Sequence, residues 1–180
     1  LNEYDLEDLP NYLVARFYEL SEVRVVERDE DVFTPHEEFI ENLTKSEEIY
    51  GYASVFFPEY VETFLRFAEE DKKIEIVVNG RVFSRIVREY RSELEKGICK
   101  RNVSFYVSKR DFRFSFVVTD KFFSISFYRR NGFFDYKRDF VCFSEDCLRW
   151  GRDLFNYVKD NSVRVDRVKL KELVRSLRLS

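Results

Sequence analysis

Residues 102–130, "NVSFYVSKRDFRFSFVVTDKFFSISFYRR", mark a change of texture along the chain. Before them, short apolar runs alternate with helical patterns; here three strand-like runs follow at close spacing. Phe112, Phe114, Phe116 and Val118 fall on one face of the second run, and Phe123, Ile125 and Phe127 share a face of the third. A period of two is the mark of a strand. The stretch therefore predicts strands over 102–108, 112–120 and 122–130. Asn131-Gly132 directly after it predicts a type I′ hairpin turn, because both residues tolerate positive φ. A last strand over 134–143 leads to a helix that begins at Ser144.

Working outward, "EVRVVERD" (22–29) reads as a strand and "TPHEEFIENLTKS" (34–46) as a helix. Thr34 at the N-cap, Pro35 at N1 and Glu37 at N3 make a capping box for that helix. "EIYGYASVFF" (48–57) is the next strand, and Pro58 opens a helix with Tyr60, Val61, Phe64, Leu65 and Ala68 on one face. "KKIEIVVN" (72–79) is apolar on both faces towards its end, as a central strand should be. Asn79-Gly80 then turns into one helix over 81–97, stopped by Gly97. Residues 5–20 predict a further helix, and 166–179 a basic amphipathic one carrying Val168, Leu173, Val174 and Leu177. The order β-α-β-α-β followed by β-β-β-α predicts an α/β fold. Its mixed sheet is expected to be parallel in the first half and antiparallel in the second, with helices on both faces.

With 180 residues, the chain suits one domain or one domain with a short appendage. Aromatic residues make up 18% of it, so its core is expected to be built from rings. Charged residues reach 36%, with no Met and no Gln, a composition that points to a thermophile. A net charge of −3 gives no global drive towards nucleic acid. Locally, 27–48 holds nine acidic and two basic side chains and 81–113 ten basic and four acidic, the pattern of solvated helix faces or of a surface that steers a partner. No apolar run approaches the roughly 18 residues of a membrane span, and no signal-peptide pattern opens the chain. Three cysteines without a disulfide framework favour a reducing cytoplasm.

Candidate chemistry is sparse. His36 is the only histidine and falls in the first turn of a capped helix. A closed zinc site would need His36, Cys99, Cys142 and Cys147 together. Cys147, Leu148, Gly151, Leu154, Phe155 and Val158 form one stripe, so Cys147 reads as a small buried hydrophobe and Gly151 as a point of close approach to the sheet. Trp150 reads as a half-buried residue at the edge of that helix. Phosphate-binding glycine motifs are absent. No catalytic residue, metal site or cofactor follows from these patterns.

Several motifs, in order, resemble a known family. They are Pro58-Glu59-Tyr60, Val118-Thr119-Asp120, Gly132 with Asp135 in "GFFDY", and Trp150-Gly151 with Leu154, Phe155 and Tyr157. The chain is similar, over about residues 3–165, to the middle domain of archaeal winged-helix transcription regulators of the methanogenesis-regulator (Fil) type. Phe134 stands before Asp135 where the family usually has Tyr. The strand order also resembles a phospholipase D-like sandwich. The H-x-K motif of its hydrolases is missing, since Glu37 and Glu38 follow His36.

The resemblance implies a non-enzymatic, cytoplasmic sensor that binds an unidentified small-molecule effector, forms a homodimer and does not enter a membrane. It touches DNA only through a winged helix expected ahead of Leu1. On this reading 1–21 connects to that domain, 22–160 is the sensor, and 161–180 is a helix that packs across a dimer or caps its own subunit. Ligands of open α/β sheets sit at the carboxyl ends of strands, which nominates Phe56, Asn79 and Asp120, with Asp135 in the hairpin. The competing reading is direct nucleic-acid binding or processing by the basic 81–113 region.

Overall fold

A computed structural model describes residues 1–28 and 37–179. Thr34, Pro35 and His36 lie outside the described residues. The strands are β1 (Arg24–Glu27), β2 (Glu48–Ala53), β3 (Lys73–Val78), β4 (Val103–Ser108), β5 (Phe114–Thr119), β6 (Phe123–Phe127), β7 (Arg138–Cys142) and β8 (Ser162–Arg164). The helices are α1 (Asn11–Val14), α2 (Glu37–Thr44), α3 (Glu59–Glu69), α4 (Gly80–Glu89), α5 (Arg91–Ile98), α6 (Glu145–Asp160) and α7 (Arg167–Leu179). All eight strands join one sheet in the order β1-β7-β6-β5-β2-β3-β4-β8.

The sheet is mixed, as the alternation of patterns predicts, with its parallel part displaced by one element. β2, β3 and β4 are the parallel strands, whereas β1 pairs antiparallel with β7 at the far edge. The antiparallel run thus starts at Phe114 rather than at residue 102. β1 carries three exposed residues among its four, the composition of an edge strand rather than of a central one. The short edge strand β8, antiparallel to β4, has no counterpart in the sequence reading.

One face of the sheet, called the front, is covered by α6 and by residues 4–20. Tyr52, Phe114, Phe116, Phe123 and Phe127 meet Leu13, Trp150, Leu154 and Phe155 there. The residues of α6 buried in this contact include the predicted Cys147, Gly151, Leu154, Phe155 and Val158. A Cβ built on Gly151 would come within 2.7 Å of Phe123 Cδ2 and 3.0 Å of Val118 Cγ2, so the missing side chain lets the helix lie directly on the sheet. Trp150 is not an edge residue. It is fully buried, and its indole N–H donates to the carbonyl of Leu13 at 2.9 Å. That bond helps to break the expected 5–20 helix into α1 and a 3-10 turn over Phe17–Leu20, because the Leu13 carbonyl is held by Trp150 and by Arg16 N.

The back of the sheet carries α2, α3, α4, α5 and α7. The helix predicted over 81–97 is two helices, with Tyr90 at φ −137° between them. Its ring leaves the helical register to pack on Phe56 at 5.6 Å. Leu170 and Val174 of α7 are buried with Phe83 and Phe105, so α7 caps its own chain. Among the described residues no helix is long and apolar enough to cross a membrane.

Two local expectations are overturned. The 131–132 turn is not type I′. Gly132 alone takes positive φ, at +90°, while Gly132 N donates to Arg129 O and Arg129 N to Phe133 O. This is the three-residue loop with a glycine bulge, which needs only one left-handed residue. Cys142 and Cys147 are not two packing thiols but one disulfide, with Cα atoms 6.1 Å apart. The helical stripe does bury Cys147, as read; Cys142 ends β7 pointing into the same front core, so both sulfurs meet. With that bond in place, the cysteines no longer argue for a reducing compartment.

Candidate functional site

Between the back of the sheet and helices α3, α4 and α5 lies a cavity of about 220 Å³. It exists because small residues face one another across the interface. Gly51 and Ala53 occupy the back-facing positions of β2, Ala68 lies on α3, and Gly97 lies on α5. The other walls are hydrocarbon: Val61, Phe64 and Leu65 from α3, Ile76 and Val78 from β3, and Ile86 with Leu94 from α4 and α5. A cavity with such walls stays dry and accepts apolar molecules.

One side is different. Strands β5 and β6 alternate aromatic or aliphatic residues to the front with Ser115, Ser124 and Ser126 to the back, so the phenylalanine faces noted in the sequence have a serine strip behind them. Ser126 Oγ donates to Asp139 Oδ1 at 2.5 Å, and Arg28 pairs with Asp139 Oδ2 at 3.2 Å. Ser115 Oγ is held by Ser54, whose Oγ lies 2.7 Å away. Tyr60, the residue of the "PEY" motif, lines the cavity beside this strip. Burial pushes the Tyr60 hydroxyl well above the ordinary tyrosine range; Arg28 opposes that rise and Asp139 adds to it. No hydrogen bond to the hydroxyl is found among the described residues.

The structure does not bring the four nominated residues together. Phe56 lines the cavity. Asn79 sits at the end of β3 but is fully engaged there: its Oδ1 caps α4 by accepting from Val82 N at 2.8 Å, and its Nδ2 donates to Ser54 O and Asp111 Oδ1. Asp120 lies at the opposite end of the sheet, because β5 runs antiparallel to β2 and so its carboxyl end meets the amino end of β2. Its carboxylate accepts from Glu47 N and Glu48 N at 2.9 and 3.1 Å. Burial is the largest single influence on Asp120 and would raise its pKa, yet those backbone N–H groups together outweigh it and hold the group below the usual carboxylate range. Asp135 alternates away from the cavity and ties the hairpin to the front, accepting from Tyr4 OH at 2.7 Å and from Arg129. Its neighbours Phe134 and Tyr136 are the ones that line the cavity. The polar residues Tyr60, Ser126 and Asp139 were passed over in the sequence, although the Ser-x-Ser alternation behind the phenylalanines carried the signal.

Among the described residues, half of the basic side chains in the 81–113 region are in ion pairs. Arg81 pairs with Asp111 at 2.7 Å, Arg85 with Glu89 at 3.1 Å and Arg91 with Glu95 at 3.1 Å. Among the described residues no cluster of His, Cys, Asp and Glu could hold a metal ion.

Residues 32–161 match the family described as "Methanogenesis regulatory protein FilR1, middle domain". Among curated proteins, none matches the chain by sequence. Among solved structures, the chain is similar to TrmBL2, described as an archaeal chromatin protein with a novel mode of DNA binding, at a TM-score of 0.65 and 14% identity. The match covers 86% of this chain and 60% of TrmBL2, so the chain spans only part of that protein's length. It is also similar to Nuc, a phospholipase D family member from Salmonella typhimurium, at a TM-score of 0.56 and 10% identity, covering 80% of this chain and 97% of Nuc. At these identities the two structures establish the shared fold alone, a mixed sandwich of the phospholipase D kind.

Proposed function

The chain belongs to the family of the middle domain of the methanogenesis regulatory protein FilR1, and on that premise we propose that it is the effector-sensing, non-catalytic part of an archaeal transcription regulator that works as a cytoplasmic homodimer. The observation that carries the sensing role is the cavity of about 220 Å³ between the parallel strands and α3, α4 and α5. A void of this size costs stability unless something fills it. Its polar groups support binding rather than turnover: Asp139 is spent on Ser126 and Arg28 and is not poised to take a proton from a nucleophile.

The mechanism is a population shift. A ligand favours whichever arrangement of α3, α4 and α5 closes best around it, and it biases the protein only by its difference in affinity between arrangements. In a dimer, such a bias resets the spacing of attached winged helices, and half-site spacing is what those domains read. DNA contact is assigned to that domain; within 81–113, Arg81, Arg85 and Arg91 already have carboxylate partners.

A thermal-shift screen of small metabolites tests the reading, with Gly97→Leu and Val61→Phe as variants that fill the cavity. The expected result is a set of stabilising compounds whose effect disappears in the filled variants. Compounds that stabilise the filled variants equally, or a screen with no stabilising compound, would sink the cavity as the effector site. Sedimentation tests the dimer: a monomer at all concentrations removes that part of the proposal. A salt-dependent affinity of this chain for DNA would favour the nucleic-acid reading instead.

A further inference from the structure

Resting on the reading of the cavity as the effector site, we infer that its ligand is a small, uncharged, mainly hydrocarbon molecule with a single hydroxyl- or carbonyl-type head, which meets Tyr60 and the serine strip. Size sets the first limit. A cavity of about 150 Å³ lined by aliphatic and aromatic side chains accommodates benzene, and this one, at about 220 Å³, takes a ring or chain moderately larger. A disaccharide or a nucleotide exceeds it, and their many polar groups would face Val61, Leu65, Ile76 and Ile86 without partners.

Charge sets the second limit. Among the described residues that line the cavity, the charged ones are Arg28, Asp139 and Glu93. Arg28 and Asp139 face each other at 3.2 Å, so a ligand carboxylate would have to displace Asp139 to reach a cation. An ammonium group would find Asp139 already engaged by Ser126 and Arg28. Glu93, its remaining partner, lies on α5 over β4, while the serine strip belongs to β5 and β6 on the other side of β2 and β3. Either ion would be desolvated against hydrocarbon without adequate pairing, which outweighs what the walls return.

The head group has a place to go. Tyr60 lines the cavity, no hydrogen bond to its hydroxyl is found among the described residues, and Ser124 lines the same space from β6. A hydroxyl or carbonyl on the ligand accepts from Tyr60 while its hydrocarbon part fills the space left by Gly51, Ala53, Ala68 and Gly97. This arrangement satisfies a donor for which no partner is found among the described residues, and it needs no counter-ion.

A matched eight-carbon series tests the class: 1-octanol, octanoate and octylammonium, each titrated at submillimolar concentration by calorimetry and by melting. The expected result is saturable binding of 1-octanol, about tenfold or more tighter than either ion. Tyr60→Phe should weaken 1-octanol severalfold with no change for octane, and Gly97→Leu or Val61→Phe should abolish binding while still melting cooperatively. If one filled variant does not fold, the other serves, and the ranking on the unaltered protein stands by itself. Ions that bind as tightly as 1-octanol, or no binding of the series while a hit from the metabolite screen is lost in the filled variants, would overturn this class and leave the sensing role intact. A metabolite effect that survives filling overturns the sensing role itself.

Discussion

Gly151→Ala and Gly97→Ala are the same substitution in two helices, and the structure gives them opposite signs. In a helix interior, alanine is favoured over glycine by about 1 kcal/mol. At Gly151 that gain meets a steric charge, because the new Cβ would lie 2.7 Å from Phe123 Cδ2 and 3.0 and 3.1 Å from Val118 Cγ2 and Cβ. Neither neighbour can yield easily. Both are fully buried, and the Phe123 ring is wedged between Trp150 at 5.7 Å and Phe116 at 6.3 Å. Overpacking of a tight core costs about 1–3 kcal/mol, and a clash with two fixed side chains belongs at the upper end. The net expectation is a loss of about 2 kcal/mol, which lowers Tm by about 4–8 °C for a chain of this size. At Gly97 the nearest atom to a new Cβ is Leu65 Cδ2 at 3.8 Å, an ordinary contact. There the helix preference survives, and alanine should stabilise by about 0.5 kcal/mol. Urea denaturation followed by far-UV circular dichroism measures both. A Gly151→Ala protein as stable as the parent would refute the close approach of α6 to the sheet.

Three further outcomes follow from the packing. Lys72 is buried, with Nζ donating to Thr44 O at 2.9 Å and Ser46 O at 2.5 Å, so Lys72→Met should cost about 1–3 kcal/mol in urea titration by orphaning both carbonyls. The Cys142–Cys147 bond closes a short loop, and replacing both residues by alanine should cost about 2 kcal/mol through the unfolded state alone; thiol titration of the unfolded, unreduced protein should find only Cys99 free. Asp120 has its folded pKa below the ordinary value, so its contribution is fully present above the unfolded pKa of about 3.9 and is lost as pH falls through the folded one. Asp120→Asn should therefore destabilise at neutral pH and become indistinguishable from the parent in acid, and a stability difference that persists undiminished at the lowest pH would contradict the backbone capping by Glu47 and Glu48.

Much of the architecture was legible because local rules carried it. Ser144 as the start of α6 follows from its capping chemistry: its Oγ accepts from Cys147 N at 3.2 Å. The stripe of α6 and the paired faces of β5 and β6 follow from period alone. What failed were places where a distant contact outbid the local signal. Trp150 captured the Leu13 carbonyl and helped to stop a helix that its own sequence would continue. Tyr90 broke another helix to reach Phe56. Asp120 was nominated from its place after a strand, but the direction of that strand is a property of its partner, and the antiparallel pairing carried it away from the cavity.

The amino-acid sequence by itself determined the elements, their amphipathic faces and the family motifs, because side-chain period and capping act within a few residues along the chain. Only the tertiary structure decided which strands run parallel, that Cys142 and Cys147 meet, and that Gly51, Ala53, Ala68 and Gly97 face one another across an empty space. A cavity is made of side chains that are absent from three separate elements. No local rule can register that absence until packing brings the three together.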